Sequence, residues 1–214
     1  MPPVRFADTF FTALALLADA VVALALGGAV AALVSRRARA GMAVIARAVA
    51  TQAVPLAFVV AAVTTAGSLY YSEYAGYTPC TLCWYQRILM YPLVAILGIA
   101  WLRRDRHVWP TVVPFVALGA PVALYHWLVE RVPSIASTTS CSLDVPCTSP
   151  WFEKLGFVTL AWMSFTAFVL VGTLMAVAVA GRRGGAPRAD PPAPEPAHEA
   201  RPDTTPEPME PAPS

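Results

Sequence analysis

Long apolar runs alternate along this chain with short polar stretches, and the length of the runs sets the scale of the elements they form. Thr9 to Val34 is the first run long enough to cross a bilayer, which takes ~20 residues of helix. A second extends from about Ala48 to Tyr70, with Pro55 near its start. A third opens at the cysteine motif around Cys80 and runs to Leu102, a fourth covers Trp109 to Trp127, and a fifth covers Phe157 to Ala180. Pro114 and Pro121 each remove a backbone donor from the fourth run, so a bend is expected at one of them. Leu128 to Gly156 is the longest stretch between runs. From Pro187 the pattern stops. The remainder is rich in Pro, Ala and Glu and holds nearly half of the 21 prolines, which predicts a disordered C-terminal tail because nothing in it can bury enough apolar surface.

Composition agrees with the pattern. The chain is 57% hydrophobic and 13% charged, with mean hydropathy +0.57, values that no ordinary soluble domain of 214 residues shows. It reads as an integral membrane protein. A net charge of +2 matters less than where the charges fall. The Arg residues sit in short clusters between apolar runs and make no basic face with interleaved aromatics, so no nucleic-acid partner is expected.

Those clusters predict an orientation. Arg36, Arg37, Arg39 and Arg47 follow the first run, Arg103, Arg104 and Arg106 follow the third, and Arg182, Arg183 and Arg188 follow the fifth. The Tyr71 to Pro79 turn has no Lys or Arg, and the long loop has only Arg131 and Lys154. The basic sides are expected in the cytoplasm. The N-terminus and all four cysteines then lie on the extracytoplasmic side, and the C-terminus lies inside. Trp84, Trp101, Trp109, Trp127 and Trp151 fall near run ends, where indole rings prefer the headgroup level.

Asp19 interrupts the first run. A carboxylate within a membrane helix is a candidate proton site, or a group whose cost of roughly 3 kcal/mol is offset by the surrounding Leu, Val and Ala, with a bundle neighbour that pairs with it or keeps it protonated; the second is the simpler expectation. A cleaved signal peptide fits poorly, because Arg5 alone is a thin basic region and the apolar stretch is too long.

The chemistry concentrates in YTPCTLCWYQRILMYP, Tyr77 to Pro92. Cys80 and Cys83 form a C-x-x-C where a polar turn gives way to a membrane helix, and the unpaired N–H groups of a helix start favour thiolate over thiol. Arg87 follows on the same helix face. A guanidinium there is costly unless something negative needs it. Cys141 and Cys147 in the long loop are the remaining cysteines. Three readings compete: two structural disulfides, a four-cysteine zinc site, or a relay in which one pair passes electrons to the other by thiolate attack on a disulfide. The first and second describe a non-enzymatic membrane protein. Haem attachment is excluded because Trp84, not His, follows Cys83. A bridge across two residues of a starting helix is a poor staple and a good redox couple. A zinc site leaves Arg87 unexplained, whereas an acceptor that becomes anionic, or a thiolate formed during turnover, accounts for it, and a membrane quinone meets both demands.

The run PCTLCWYQR, continuing ILMYPL, resembles the quinone-linked disulfide bond formation protein B family, in particular its short-loop, Gram-positive-like branch. The resemblance covers about Ser68 to Phe168. It implies an all-α integral membrane fold: a four-helix transmembrane bundle, here with one extra N-terminal transmembrane helix. The expected division is 1–47 for the extra helix and a basic cytoplasmic loop, 48–181 for the redox bundle, and 182–214 for the tail. The resemblance further implies an enzyme, a quinone-dependent thiol:disulfide oxidoreductase of the cell membrane. Its partner would be a thioredoxin-like extracytoplasmic thiol oxidase, and its acceptor menaquinone or ubiquinone from the membrane pool, with no metal.

Site roles follow from the same resemblance. Cys83 would pass electrons to the quinone and Cys80 would exchange with the loop pair. Cys141 would take the partner's mixed disulfide and Cys147 would transfer to Cys80. Arg87 matches the family's quinone-side Arg. His126 falls where the family often has a His near the quinone, although a hydrogen-bonded interfacial His is the alternative. Gln86 would orient the quinone, or simply cap or pack. The chain departs from the family in its short loop interval, in Ala161 where a Pro is common, and in the first apolar run. That run is an added element, or translation starts at Met42. The vitamin K epoxide reductase type shares the logic, but its C-x-x-C lies late in the chain.

Overall fold

The computed structural model describes residues 2–105, 107–137, 141 and 145–183, and seven α-helices lie among them. They are α1 (Pro2–Val34), α2 (Arg36–Ala50), α3 (Ala53–Leu69), α4 (Thr81–Leu102), α5 (Trp109–Arg131), the one-turn α6 (Pro133–Ala136) and α7 (Leu160–Arg183). A π-helical turn, Tyr70–Tyr74, prolongs α3. Among the described residues five segments are long and apolar enough to cross a membrane: Val4–Val34, Ala53–Tyr74, Thr81–Leu102, Trp109–Arg131 and Leu160–Arg182. The protein is therefore an all-α, multi-pass membrane protein. Helices α3, α4, α5 and α7 pack in a closed ring of four, and α1 lies outside it against α7.

Leu93 and Leu97 of α4, Val112 of α5, and Phe168 and Val171 of α7 meet in the centre of the bundle, fully shielded. Lipid offers no hydrophobic force between helices, so close backbone approach through small residues has to supply the contact. Gly119 shows the requirement, because a Cβ there would overlap the Phe168 ring. Ala57 and Ala61 do the same on α3, both buried in the same core.

Two latches fasten α1. Asp19 accepts hydrogen bonds from Trp162 Nε1 (2.9 Å) and Thr166 Oγ1 (2.6 Å), both on α7. The mid-membrane carboxylate thus has its partners on a neighbouring helix. Nearer the N-terminus, buried Asp8 accepts from the Tyr71 hydroxyl at 3.0 Å. Between them Phe11 packs so closely on Gly67 that a Cβ there would stand 2.9 Å from its ring.

The expected boundaries need correction in three places. The basic stretch after the first run is not a loop. It is α2, started by Ser35, whose side chain accepts from Ala38 N at 3.4 Å, and it packs against α7 at Gly181. Arg and Ala are strong helix formers, and four charges among them do not prevent a helix. The second span accordingly starts at Ala53, after the break at Thr51 and Gln52. The fourth runs a turn past Trp127 to Arg131 and stays one helix through Pro114 and Pro121. The fifth begins at Leu160, because Lys154 and Val158 exchange two backbone hydrogen bonds of 2.9 Å around a tight turn. Leu155 and Gly156 take φ of 55° and 76° in it, a conformation that suits the glycine. Ala161 is thus in the first turn of α7, where no interior kink arises. The expected tail lies outside the described residues beyond Arg183.

Candidate dithiol site

The ends of α3, α4, α5 and α7 converge on the cysteine motif. Cys80 is the N-cap of α4, with extended backbone (φ −75°, ψ 174°), and its Sγ accepts from the Cys83 N–H at 3.4 Å. A Ser or Asp does the same at an ordinary helix start. The following loop is fastened to the motif's approach: Trp151 stacks on Tyr77, ring centroids 4.9 Å apart, and its Nε1 donates to Thr78 O at 3.3 Å. On the other side Trp127 Nε1 donates to Phe157 O (2.9 Å) and Arg131 to Gly156 O (2.7 Å), tying the loop to α5.

All four cysteines come together there. Cys141 and Cys147 are joined as a disulfide, while Cys80 and Cys83 are free thiols 2.9 Å apart. Cys80 (5% exposed) and Cys147 (2%) share one buried cluster with Leu82 and Val129, and Cys83 and Cys141 pack at its edge, partly exposed. Two of the four sulfurs are bonded to each other, so the four do not stand as separate thiolates in this arrangement. Cys80, Cys83 and His126 do bring three donor atoms within 4.8 Å, a set whose chemistry would also suit a metal ion.

The Cys80 thiol is held well below its ordinary range. The hydrogen bond from Cys83 is the main cause, opposed by burial, and the hydrogen bond and electrostatic influence of His126 add to it. His126 Nε2 lies 3.6 Å from Cys80 Sγ, and Gln86 Nε2 lies 2.8 Å from His126 Nδ1. With the amide oriented as in the structure, Gln86 donates to Nδ1 and so leaves the ring proton on Nε2, facing the sulfur. Glu130 completes the chain. Its Oε1 lies 3.9 Å from His126 Nε2, and its Oε2 accepts from Thr159 Oγ1 at 2.6 Å.

Arg87 turns away from the sulfurs toward α3. Its Nε donates to Ser68 Oγ and its Nη2 to Ser68 O, both at 3.1 Å, Tyr91 OH reaches the same Oγ at 3.2 Å, and the guanidinium lies 5.3 Å from the Trp84 ring centre. These partners are neutral, so they satisfy the donors without cancelling the charge. Beside them opens a cavity of about 480 Å³ between α1, α3, α4 and α7. Cys83, Gln86, Arg87 and His126 line its polar end, whereas Cys80 does not reach it. The rest of its wall is almost wholly apolar, contributed by residues such as Val59, Val63 and Leu170.

The redox and quinone residues read from the sequence, Cys80, Cys83, Gln86, Arg87, His126, Cys141 and Cys147, therefore lie at this one end of the bundle, whereas Asp19 lies apart on α1. Sequence reasoning missed Glu130, Thr159 and Ser68. Glu130 stands four residues after His126, a helical pair that extending the fourth span by one turn would have exposed. Nothing in the sequence points to Thr159 or Ser68, which arrive from other helices.

Two cysteine pairs in one buried cluster, one oxidised and one reduced, have a single chemistry in common, the exchange of a disulfide for two thiols. That defines the class: a membrane thiol–disulfide oxidoreductase. The family model for Disulfide bond formation protein DsbB matches residues 50–180, and the chain belongs to that family. Among curated relatives it is 43% identical over 114 residues to disulfide bond formation protein C of Bacillus subtilis (strain 168), covering 53% of this chain and 83% of the relative. It is 46% identical over 105 residues to the probable disulfide formation protein C of Halalkalibacterium halodurans, covering 49% and 77%. The probable disulfide formation protein of Oceanobacillus iheyensis is 40% identical over 120 residues, covering 56% and 83%. No solved structure matches the chain.

Proposed function

We propose that the protein reoxidises a thioredoxin-like extracytoplasmic thiol oxidase and passes the electrons, through Cys141–Cys147 and then Cys80–Cys83, to a membrane quinone. The observation that carries this reading is the split of the C-x-x-C. Cys83 opens on the apolar cavity, and Cys80 faces the cluster that holds Cys147.

The partner's thiolate attacks Cys141, the partly exposed sulfur of the loop bridge, and Cys147 leaves as thiolate. The partner's second thiol resolves that mixed disulfide, so the partner is oxidised and the loop pair reduced. Cys147, in the same buried cluster as Cys80, then attacks the Cys80–Cys83 disulfide at Cys80. Cys83 departs, and attack of Cys141 on Cys147 restores the loop bridge. Cys80 is released as a thiolate that the helix start and His126 stabilise. The arrangement with the loop pair bridged and Cys80 and Cys83 free is the product of this transfer. Closing the Cys80–Cys83 bond again delivers two electrons and two protons to the cavity.

The cavity suits a quinone, menaquinone or ubiquinone, which supplies a two-electron, two-proton acceptor when bound. Cys83 and His126 would flank the ring, Arg87 and Gln86 would hold its oxygens, and the apolar wall would exclude water. Arg87 holds uncancelled positive charge at that end, and His126 Nε2 holds or receives the proton of Cys80. The Arg clusters support placing both cysteine pairs on the extracytoplasmic side and the C-terminus in the cytoplasm. On this reading residues 48–181 are the redox unit, 1–47 an addition to it and 182–214 a tail.

Anaerobic mixing of the purified protein with quinone and a reduced thioredoxin-like oxidase tests the reading. Quinol should form in step with loss of partner thiols, and Cys83→Ser should abolish it. No electron transfer, with inert or metal-bound cysteines, would leave a non-enzymatic scaffold as the better account.

A further inference from the structure

The cavity is longer than a quinone ring requires, and part of its wall comes from outside the segment that matches the family. From α1 it takes Phe11, Leu14, Ala15, Leu17, Ala18 and Val21; from α3 its lining runs from Leu56 to Ser68, and from α7 from Leu160 to Leu174. At 1.5 Å per helical residue, Phe11 to Val21 covers about 15 Å, Leu56 to Ser68 about 18 Å and Leu160 to Leu174 about 21 Å. The hydrocarbon core is ~30 Å thick, so the cavity reaches at least half-way across from the level of Cys83. A ring occupies only its first few ångströms. Beyond Arg87 and Tyr91 the lining offers little but hydrocarbon, with a few threonine and serine hydroxyls.

Helix α1 is held in this position rather than merely adjacent to it. Asp19 is bonded to Trp162 and Thr166 on α7, and Asp8 to Tyr71 at the end of α3. These bonds span the two helices between which the cavity would otherwise open to lipid. Replacing lipid on that side with a fixed helix converts an open groove into a walled channel.

We propose that α1 is the outer wall of a channel for the isoprenoid tail of the quinone whose ring lies at Cys83, with Ala15 and Ala18 leaving the space the tail fills. The proposal rests on the quinone reading above. It assigns to residues 11–21 a selectivity for long-tailed over tailless acceptors. One continuous cavity joins the polar end to the α1 wall, and that continuity identifies the occupant. A separate lipid would need a headgroup site of its own.

Photolabelling of the full-length wild-type protein in lipid nanodiscs tests it, using two quinone probes, one with a diazirine on the ring and one with a diazirine at the far end of the isoprenoid tail. The ring probe should label α4 around Cys83 to Arg87, and the tail probe should label α1 between Phe11 and Val21. Ring labelling at Cys83 to Arg87 with α1 spared by the tail probe would overturn the channel while leaving the quinone reading intact. Absence of label from the cavity with both probes would overturn both. As a second measurement, Ala18→Leu should weaken equilibrium binding of the tailed quinone about tenfold more than that of a tailless one, the effect of a few displaced methylene contacts. Equal weakening of the two ligands would overturn the channel.

Discussion

Cys80 Sγ lies 3.6 Å from His126 Nε2, a contact that joins α4 to α5 across 46 residues of sequence. Because Gln86 holds the other ring nitrogen, the imidazole presents a proton to the sulfur from a fixed direction. The Cys80 thiol is lowered by Cys83 first and by His126 in addition, against the cost of burial. A lowered thiol is thiolate above its folded-state value. Its stabilising contribution is therefore complete above the ordinary thiol value of about 8.5 and is lost as pH falls through the lowered one. In the fully reduced protein, thiolate ultraviolet absorbance should persist through about pH 8.5 and vanish only on further acidification. His126→Ala should move that transition upward. A wild-type transition at the ordinary value would contradict the assignment.

Glu130 extends the same chain of contacts away from the sulfur. Glu130→Gln keeps an acceptor for Thr159 but removes the negative charge 3.9 Å from His126 Nε2. Turnover with reduced partner should fall about tenfold, ~1.4 kcal/mol on the barrier. Thermal stability should stay within about 1 kcal/mol of wild type, because the hydrogen bond survives. Equal turnover in the two proteins would remove Glu130 from the relay.

Arg87 is satisfied by Ser68, so its charge remains available to the cavity. Arg87→Ala should raise the quinone KM about tenfold or more, since a hydrogen bond to a charged group is worth ~1.5–3 kcal/mol. Arg87→Lys should recover part of the loss, restoring the charge without the planar fork. Steady-state kinetics at saturating partner reads both. An unchanged KM in the alanine variant would show that Arg87 serves α3 packing alone.

Asp19 tests how far α1 depends on its latch. Asp19→Leu removes two hydrogen bonds and leaves the buried Thr166 and half-buried Trp162 donors without that acceptor. It should cost about 1–3 kcal/mol per orphaned donor at most, less whatever lipid-facing relaxation recovers. Asp19→Asn should cost less, because its amide oxygen still accepts. Unfolding in mixed detergent micelles measures the difference, and identical midpoints for the three proteins would show the latch to be idle.

The sequence by itself determined the membrane class, the number of spans, the four-helix family and the placement of the thiols at a helix start. Each depends on local quantities: run length against bilayer thickness, a cysteine spacing, a motif of nine residues. Element boundaries were less legible. The stretch from Arg36 to Arg47 reads as a loop by its charge, whereas its helix propensity puts it in α2, and the apolar run of the fourth span stops at Trp127, short of Glu130. Tertiary structure alone decided which sulfurs face which neighbours. Cys80 and Cys83 have sulfurs 2.9 Å apart, yet one is buried in the cluster that holds Cys147 and the other lines the cavity. It also decided that Asp19 has partners on α7, that Ser68 receives Arg87, and that α1 walls the cavity. These pairings cross 19 to 147 residues of chain. No local pattern encodes them, because helix packing in lipid is settled by the shapes of whole faces and by the few buried polar groups that must find one another.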